Sequence, residues 1–265
     1  MWYKDSGEFR AANGYEISGV WYPRVTKILE IKSKPGLDGF FKEVDSYLKA
    51  ESIKNKSAEE GSLVHSVIEK LALGEPVDIP PSIQAAASSF ERFKEETKIK
   101  FYPEFIEKQI WSLRHRYAGT VDALASINGK FGVLDIKTST GFYPEYNLQT
   151  AAYVSALQEF NLKKVFALPD DITTRWILRV DQYRSCLRCG VALREKGGRT
   201  KIRNGKTHPV NVCADGAHEW GEIKGEVEIR EFPFNIYQDV KAFIAAKILW
   251  EWENQYWLKR IGYLR

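Results

Sequence analysis

The pair Asn128-Gly129 lies between two stretches in which apolar residues alternate with small or polar ones. Asn-Gly is the strongest short-range signal for a β-hairpin with a two-residue turn, in which both turn residues take positive φ. If the turn holds no further residue, the register of the strands is set and Asp122 lies opposite Asp135. Directly opposed side chains have Cβ atoms roughly 4.5–5.5 Å apart, and like charges there destabilise a sheet. The sequence therefore predicts two carboxylates in one small patch.

Lys137 joins this patch, because side chains two residues apart on a strand project from the same face. A β-bulge would shift the register by one residue and separate the charges. One interpretation is a solvated face that carries a chance charge pair. Val121, Leu134 and Ile136 instead indicate a buried sheet, where uncompensated charge is costly. We therefore expect a divalent cation between the carboxylates, since oxygen ligands suit Mg²⁺ or Mn²⁺.

A helix is predicted upstream of the hairpin. Ser57-Ala-Glu-Glu60 matches a capping box, which predicts that the helix begins there, and Gly74 is placed as its stop. Gly61 in its first turn costs about 1 kcal/mol relative to Ala and can mark a close backbone approach. Periodicity predicts a helix after Pro80, strands over 104–113, 176–180 and 225–232, and helices over 146–160 and 236–257. This order predicts an α/β fold with a central mixed sheet and helices on both faces.

Composition sets the broad class of protein. Of the 265 residues, 44% are hydrophobic and 28% are charged, as in an ordinary globular protein. No run approaches the roughly 18 consecutive apolar residues that span a membrane, and the first residues lack the apolar core of a signal peptide. We therefore expect a cytoplasmic protein with no membrane partner.

Four motifs occur in a fixed order along the chain: Gly61-Ser-Leu-Val-His65, Gly119-Thr-Val-Asp122, Asp135-Ile-Lys137-Thr-Ser139 and Gln149-Thr-Ala-Ala-Tyr153. Together they resemble the RecB-type, phage exonuclease-like branch of the PD-(D/E)XK nuclease superfamily. Asp-x-Lys alone occurs by chance, whereas four motifs in the family's order and rough spacing are specific. The resemblance covers about residues 20–160. It implies a three-layer α/β/α restriction-endonuclease-like core and metal-dependent hydrolysis of phosphodiester bonds in DNA.

The resemblance also implies roles for single residues. Asp122 and Asp135 would hold a catalytic Mg²⁺ or Mn²⁺ together with the backbone carbonyl of Ile136, and His65 would supply a further ligand. Lys137 would orient or deprotonate the attacking water, or stabilise charge on the scissile phosphate.

Two further residues would complete the catalytic set. Gln149 and Tyr153 would face the active site and position the substrate or Lys137, the alternative being a polar helix face beside the sheet. Thr138 and Ser139 are candidate phosphate contacts.

The resemblance does not account for residues 183–220, which we interpret as an inserted zinc-ribbon-like module between core segments 1–182 and 221–265. The tight pair Cys186-Leu-Arg-Cys189 followed by Gly190 is a zinc-knuckle half-site, and Cys213 with His218 supplies the second half. These residues predict a structural Cys₃His zinc site. His208 is a rival fourth ligand, and three thiols without a metal are the alternative.

The same insert is strongly basic. It has eight Lys or Arg and three acidic residues, a net charge of +5, whereas the whole chain carries +4. Such charge suits phosphate contact, although a solvated loop or a protein-binding surface would also be basic. We expect the insert to project from a hairpin tip. The residues predicted to contact nucleic acid are Arg194, Lys196, Arg199, Lys201 and Arg203.

These observations predict a Mg²⁺- or Mn²⁺-dependent deoxyribonuclease with DNA as its partner and no small-molecule cofactor. We expect an exonuclease or end-processing enzyme that acts on single-stranded DNA or duplex ends. A structure- or site-selective endonuclease and a non-catalytic DNA-binding adaptor with the same fold are the alternatives.

Overall fold

The computed structural model describes residues 3–32, 40–41, 44–203, 213, 217–232 and 235–265. The helices are α1 (Ser6–Asn13), α2 (Val25–Leu29), α3 (Tyr47–Leu73), α4 (Gln84–Thr97), α5 (Pro144–Leu157), α6 (Phe160–Phe166), α7 (Tyr237–Glu253) and α8 (Gln255–Arg260). The strands are β1 (Gly14–Ile17), β2 (Val20–Pro23), β3 (Lys100–Phe101), β4 (Lys108–Ser112), β5 (Tyr117–Val121), β6 (Ala123–Ile127), β7 (Lys130–Lys137), β8 (Thr174–Cys186), β9 (Ala192–Lys196), β10 (Arg199–Arg203) and β11 (Trp220–Phe232).

The main sheet contains seven strands in the order β10-β9-β8-β7-β6-β3, with β11 paired to β8 as well. The pairing of β7 with β8 is parallel, and the other ladders of this sheet are antiparallel. Strands β1 and β2 form one separate pair and β4 and β5 form another. The sheet is therefore mixed, as predicted.

The two faces of the sheet bury different helices. Val133 belongs to an apolar cluster that includes side chains of α2, α5 and α7. Leu134, its neighbour on β7, belongs to a second cluster with side chains of α3 and α4. Since consecutive strand residues point to opposite faces, helices cover both sides of the sheet. The mixed α/β class is thus confirmed.

The Asn128-Gly129 turn has the predicted geometry. Both residues have positive φ, at 50° and 76°. Ile127 pairs with Lys130 across the turn, and the ladder continues without a bulge to Ala123 opposite Leu134. The register derived from the sequence is therefore correct.

The N-terminal arm of that hairpin is not one continuous strand. It bends at Asp122, so that β5 pairs with β4 and only β6 pairs with β7. The strand predicted over 104–113 is also shorter, because Pro103–Phe105 forms a 3₁₀ turn and Glu107 has a φ of 49°. Positive φ is costly in a strand for a residue other than glycine, so the ladder begins only after it.

The predicted start of the upstream helix is wrong. Helix α3 begins at Tyr47, where the Ser46 hydroxyl accepts a hydrogen bond from the Lys49 amide at 3.3 Å. Ser57 and Glu60 lie in mid-helix, because the residues before them continue the helix without a breaker. Their side chains face the turn between β9 and β10 instead. The predicted end is confirmed, since Gly74 caps the helix with a φ of 73°.

The hairpin β9–β10 does not project from the domain, which corrects that expectation. Strand β11 pairs along nearly all of β8, so β7 and β9 share the other edge of β8. Strand β7 pairs with the first half of β8, whereas β9 pairs with Arg184 and Ser185 near its end. The basic hairpin therefore lies beyond the C-terminal end of β7. Among the described helices, none combines the length and apolar content needed to cross a membrane.

Candidate active site

Asp122 lies where the chain passes from one ladder to the next. The β4–β5 ladder pairs Lys108 with Val121, so Glu107 is the next residue opposite Asp122, and the Glu107 amide donates to the Asp122 carbonyl at 3.0 Å. The β6–β7 ladder places Asp135 at the corresponding position on the other side. The bend thus brings Glu107 and Asp122 together through the β4–β5 register and places Asp135 beside them through the β6–β7 register.

Helix α3 adds an imidazole to this point. His65 Nδ1 lies 4.0 Å from Asp122 Oδ2. One ligand atom each from His65, Glu107 and Asp122 lies within 4.8 Å of the others. Glu107 is absent from the sequence-based set of site residues. Glu107 could be identified from the sequence only if the β4–β5 register were known. The turn between these strands contains no Asn-Gly pair that would predict that register.

The electrostatics of this group favour a bound cation. Burial and the nearby Lys137 ammonium lower the pKa of His65 to about 4, so the imidazole is neutral with a free lone pair at pH 7. Burial and the neighbouring Asp122 and Glu69 carboxylates raise the pKa of Glu107 to about 7. Burial also raises the pKa of Asp122. A divalent metal requires a neutral imidazole and ionised carboxylates, so a bound cation would favour the ionised form of both acids.

Asp135 lies beside this group rather than within it. Its side chain is fully buried, where Oδ1 accepts from Gln149 Nε2 at 2.9 Å and Oδ2 pairs with Lys137 Nζ at 2.7 Å. Burial and Asp122 raise the pKa of Asp135 to about 6. Although burial lowers the pKa of Lys137, Asp135 and Asp122 raise it above its ordinary value, so Lys137 stays charged.

Of the side chains predicted to bind the catalytic metal, His65 and Asp122 belong to the group of mutually close ligand atoms, and Asp135 does not. His65 and Asp122 lie together with Glu107, and this donor set of one imidazole and two carboxylates is compatible with metal binding. Ile136 contacts the set through its amide, which donates to Asp122 Oδ2 at 2.6 Å.

Helix α5 holds the other predicted residues in place. Gln149 Nε2 also contacts the Tyr153 hydroxyl at 3.0 Å, so one amide bridges Asp135 and Tyr153. The Tyr153 ring lies against Gly119, where an added Cβ would stand 2.4 Å from ring atom Cε1. Both side chains face the site, and the glycine of the Gly119-Thr-Val-Asp122 motif makes room for the ring.

A cleft of about 890 Å³ opens beside Lys137. Its walls are formed by α2, α3, the segment between β7 and α5, the first turns of α5, and the β9–β10 hairpin. Tyr143 and Tyr146 contribute aromatic rings, and Tyr143 is exposed. Six of the seven residues predicted to contact nucleic acid line this cleft, namely Thr138, Ser139, Arg194, Lys196, Arg199 and Lys201.

Two of the predicted contact residues have their guanidinium groups engaged within the protein. Arg194 is buried and donates to Asp181 at 2.6 Å and to the Thr138 carbonyl at 2.7 Å. Arg203 lies outside the cleft lining and donates to Glu226 at 3.1 Å. For these two, contact with nucleic acid would require the existing bonds to open.

The cysteine cluster forms at the far end of β8. Cys186, Cys189, Cys213 and His218 each bring one ligand atom within 4.8 Å of the others. The loop between the first two cysteines closes through the Gly190 amide, which donates to the Cys186 carbonyl at 2.9 Å, and Gly190 has a φ of 73°. The arrangement is compatible with metal binding. The rival ligand His208 lies outside the described residues.

Comparison of the chain with models of known protein families finds no match, and the search of curated proteins finds none either. The geometry of the site therefore carries the functional conclusion.

Proposed function

We propose that this chain is a metal-dependent DNA nuclease with a restriction-endonuclease-like core. The observation that carries the proposal is the convergence of His65, Glu107 and Asp122 beside the Asp135–Lys137 pair, of which Lys137 lines a cleft together with further cations. Carboxylates, a neutral imidazole and a fixed ammonium next to a basic cleft match what hydrolysis of a phosphodiester requires.

His65, Glu107 and Asp122 would hold the Mg²⁺ or Mn²⁺, with Asp135 and the carbonyl of Ile136 as the further ligands implied by the family resemblance. When bound, the ion supplies a water of lowered pKa and offsets the charge that develops on the phosphate.

Lys137 is assigned an electrostatic role. A base must lose its proton near the working pH, and the raised pKa of Lys137 makes it a poor base there. Its ammonium is held by Asp135 at 2.7 Å, so it is already oriented before the substrate arrives. Lys137 therefore stabilises charge on the scissile phosphate and orients the attacking water. Gln149 positions Asp135, and Tyr153 supports Gln149.

The cleft favours a single strand or a duplex end. Cations that follow a backbone, together with aromatic rings on which bases stack, are typical of sites for single-stranded nucleic acid. Tyr143, which is exposed, and Tyr146 supply the rings. An exonuclease or end-processing enzyme fits this lining best.

We also propose that the cysteine cluster holds one structural Zn²⁺. Three thiols and one imidazole form a closed ligand set of the kind that zinc fills. Burial and the Cys189 and Cys186 thiols raise the pKa of Cys213 to about 11, so a cation is needed before all three sulfurs can ionise.

The test is cleavage of single- and double-stranded DNA that carries a label at one end, in Mg²⁺ or Mn²⁺. We expect the native chain to release short products from one end and Lys137→Ala to release none, while its DNA binding in EDTA stays within a few-fold of the native protein. Lys130→Ala is the matched control, because Lys130 lies on the same strand and pairs with Glu231 at the surface.

Circular substrates separate the two nuclease modes, since cleavage of a closed circle would favour the endonuclease. Normal turnover by Lys137→Ala would refute the catalytic assignment. Binding without cleavage of any DNA would favour the adaptor.

A further inference from the structure

Lys196 on β9 lies next to the catalytic lysine in the same cleft. Its Nζ atom donates to the Thr138 carbonyl at 2.6 Å and to the Thr138 hydroxyl at 2.7 Å. Thr138 directly follows Lys137, so the two ammonium groups approach the end of β7 from different elements. The insert thus adds a cation to the site formed by the core.

The two lysines differ in how their charge is balanced. Lys137 forms an ion pair with Asp135 at 2.7 Å. Lys196 contacts only the neutral oxygens of Thr138, and within the described part of the chain no carboxylate lies at ion-pair distance from it. The two carboxylates that raise the pKa of Lys196 through their charge bond elsewhere: Asp181 accepts from Arg194 at 2.6 Å, and Glu60 accepts from the Gly197 amide at 2.9 Å.

An ammonium in this position is costly. Burial and the neighbouring Arg194 lower the pKa of Lys196 to about 8. A partly buried cation without a carboxylate partner destabilises the folded state unless an anion joins it. If Lys196 served only to attach the hairpin to the core, an ion pair with Asp181 or Glu60 would stabilise it more than hydrogen bonds to neutral oxygens. The unbalanced charge therefore points to an anionic ligand.

Helix α3 has a glycine, Gly61, at the point where Thr138 and Lys196 approach it closely. An added Cβ at Gly61 would lie 2.9 Å from the Thr138 hydroxyl and 3.6 Å from Lys196 Nζ. An added Cβ at Gly197 would lie 2.2 Å from the Ser57 hydroxyl, so the turn of the hairpin is seated directly on the helix. The glycine that weakens the middle of α3 is thus explained by the close approach of Thr138 and Lys196.

We propose that Lys196 binds a backbone phosphate of the nucleic acid next to the phosphate that is cleaved, which makes the inserted hairpin a wall of the substrate cleft. The inference rests on the proposed nuclease function. Lysine binds phosphate as a point charge on a flexible stem, and here the stem enters from β9 while the charge lies over the end of β7. The zinc cluster would keep β9 in register, since β9 begins three residues after Cys189.

The experiment measures binding of a short fluorescein-labelled single-stranded DNA in EDTA, over a range of salt concentrations, for the native chain and three variants. Removing one charge-assisted hydrogen bond should weaken binding about tenfold or more. The slope of log K against log salt should fall by about 0.7 for Lys196→Gln, because one fewer counterion is released. Lys196→Arg should keep the native slope.

The matched control is Lys224→Gln, which removes an exposed lysine from β11, outside the cleft lining. It should leave both affinity and slope unchanged. Thermal melting verifies that each variant is folded. If Lys196→Gln loses the fold, Lys196→Met, which keeps the packing of the aliphatic stem, replaces it with the same expected slope.

The outcomes are distinguishable. If the native chain cleaves DNA but Lys196→Gln keeps the native slope, Lys196 only attaches the hairpin, and the inference fails while the proposed function stands. If the native chain neither binds nor cleaves nucleic acid, the proposed function fails and the inference fails with it.

Discussion

Replacing Glu107 with glutamine should stabilise the metal-free protein while weakening its affinity for metal. Glu107 faces Asp122, and burial, Asp122 and Glu69 raise its pKa from 4.5 to about 7. By linkage, a shift of this size corresponds to roughly 3 kcal/mol of unfavourable free energy when the group is charged. Because Glu107 is partly exposed, solvent screening reduces the figure to about 1 kcal/mol.

The sign of the pH dependence follows from the direction of the shift. A carboxyl whose pKa is higher in the folded state binds its proton more tightly there, so its charged form destabilises the fold. This destabilisation is small at pH 4.5, grows as pH rises towards 7 and is complete above pH 7. Glutamine cannot ionise. The advantage of Glu107→Gln should therefore be small at pH 4.5 and full at pH 8.

Thermal unfolding in EDTA provides the assay, and about 1 kcal/mol should raise Tm by about 2–4 °C for a chain of this size. Calorimetric titration with Mn²⁺ at pH 8 should show affinity reduced about tenfold or more, since a ligand is lost. Glu104→Gln, an exposed carboxylate three residues earlier in the chain, is the control and should change neither quantity. An unchanged Tm together with unchanged Mn²⁺ affinity would refute the assignment of Glu107 to the site.

Two further predictions concern the residues that support the sites. Gly119→Ala should destabilise the protein by about 1–3 kcal/mol in urea unfolding, because the new methyl group would lie 2.4 Å from the Tyr153 ring; full native stability would contradict the close approach. Cys189→Ser should lose the zinc, which elemental analysis should find at one equivalent in the native chain. A zinc-free native protein would contradict the assignment of the cysteine cluster.

The β6–β7 hairpin could be predicted because its information is local. Asn128-Gly129 specifies both the turn and the register, so the approach of Asp122 and Asp135 follows from counting residues. The cysteine cluster is local in the same sense, since the spacing of Cys186 and Cys189 is a property of one loop. In both cases a few adjacent residues determine which side chains meet.

The remainder depends on contacts between distant segments. Glu107 meets Asp122 through a four-residue loop, 113–116, that lacks a residue pair able to specify the register. The Ser57–Glu60 pattern fits a helix start or a mid-helix position equally well. Here the preceding residues continue the helix, and Glu60 contacts the β9–β10 turn. The position of that turn depends on β9 pairing with β8 at only two residues, which no local pattern indicates.

Among the described strands, β10 lies at one edge of the main sheet, and the backbone groups of an edge strand can pair with the same edge of another molecule. Its sequence alternates Arg199, Lys201 and Arg203 with Thr200 and Ile202, and Ile202 is exposed. Charged side chains on an edge strand repel a second copy and so prevent sheet-to-sheet association. We therefore expect the cations of β10 to disfavour self-association, and replacing them together should make the protein more prone to aggregation.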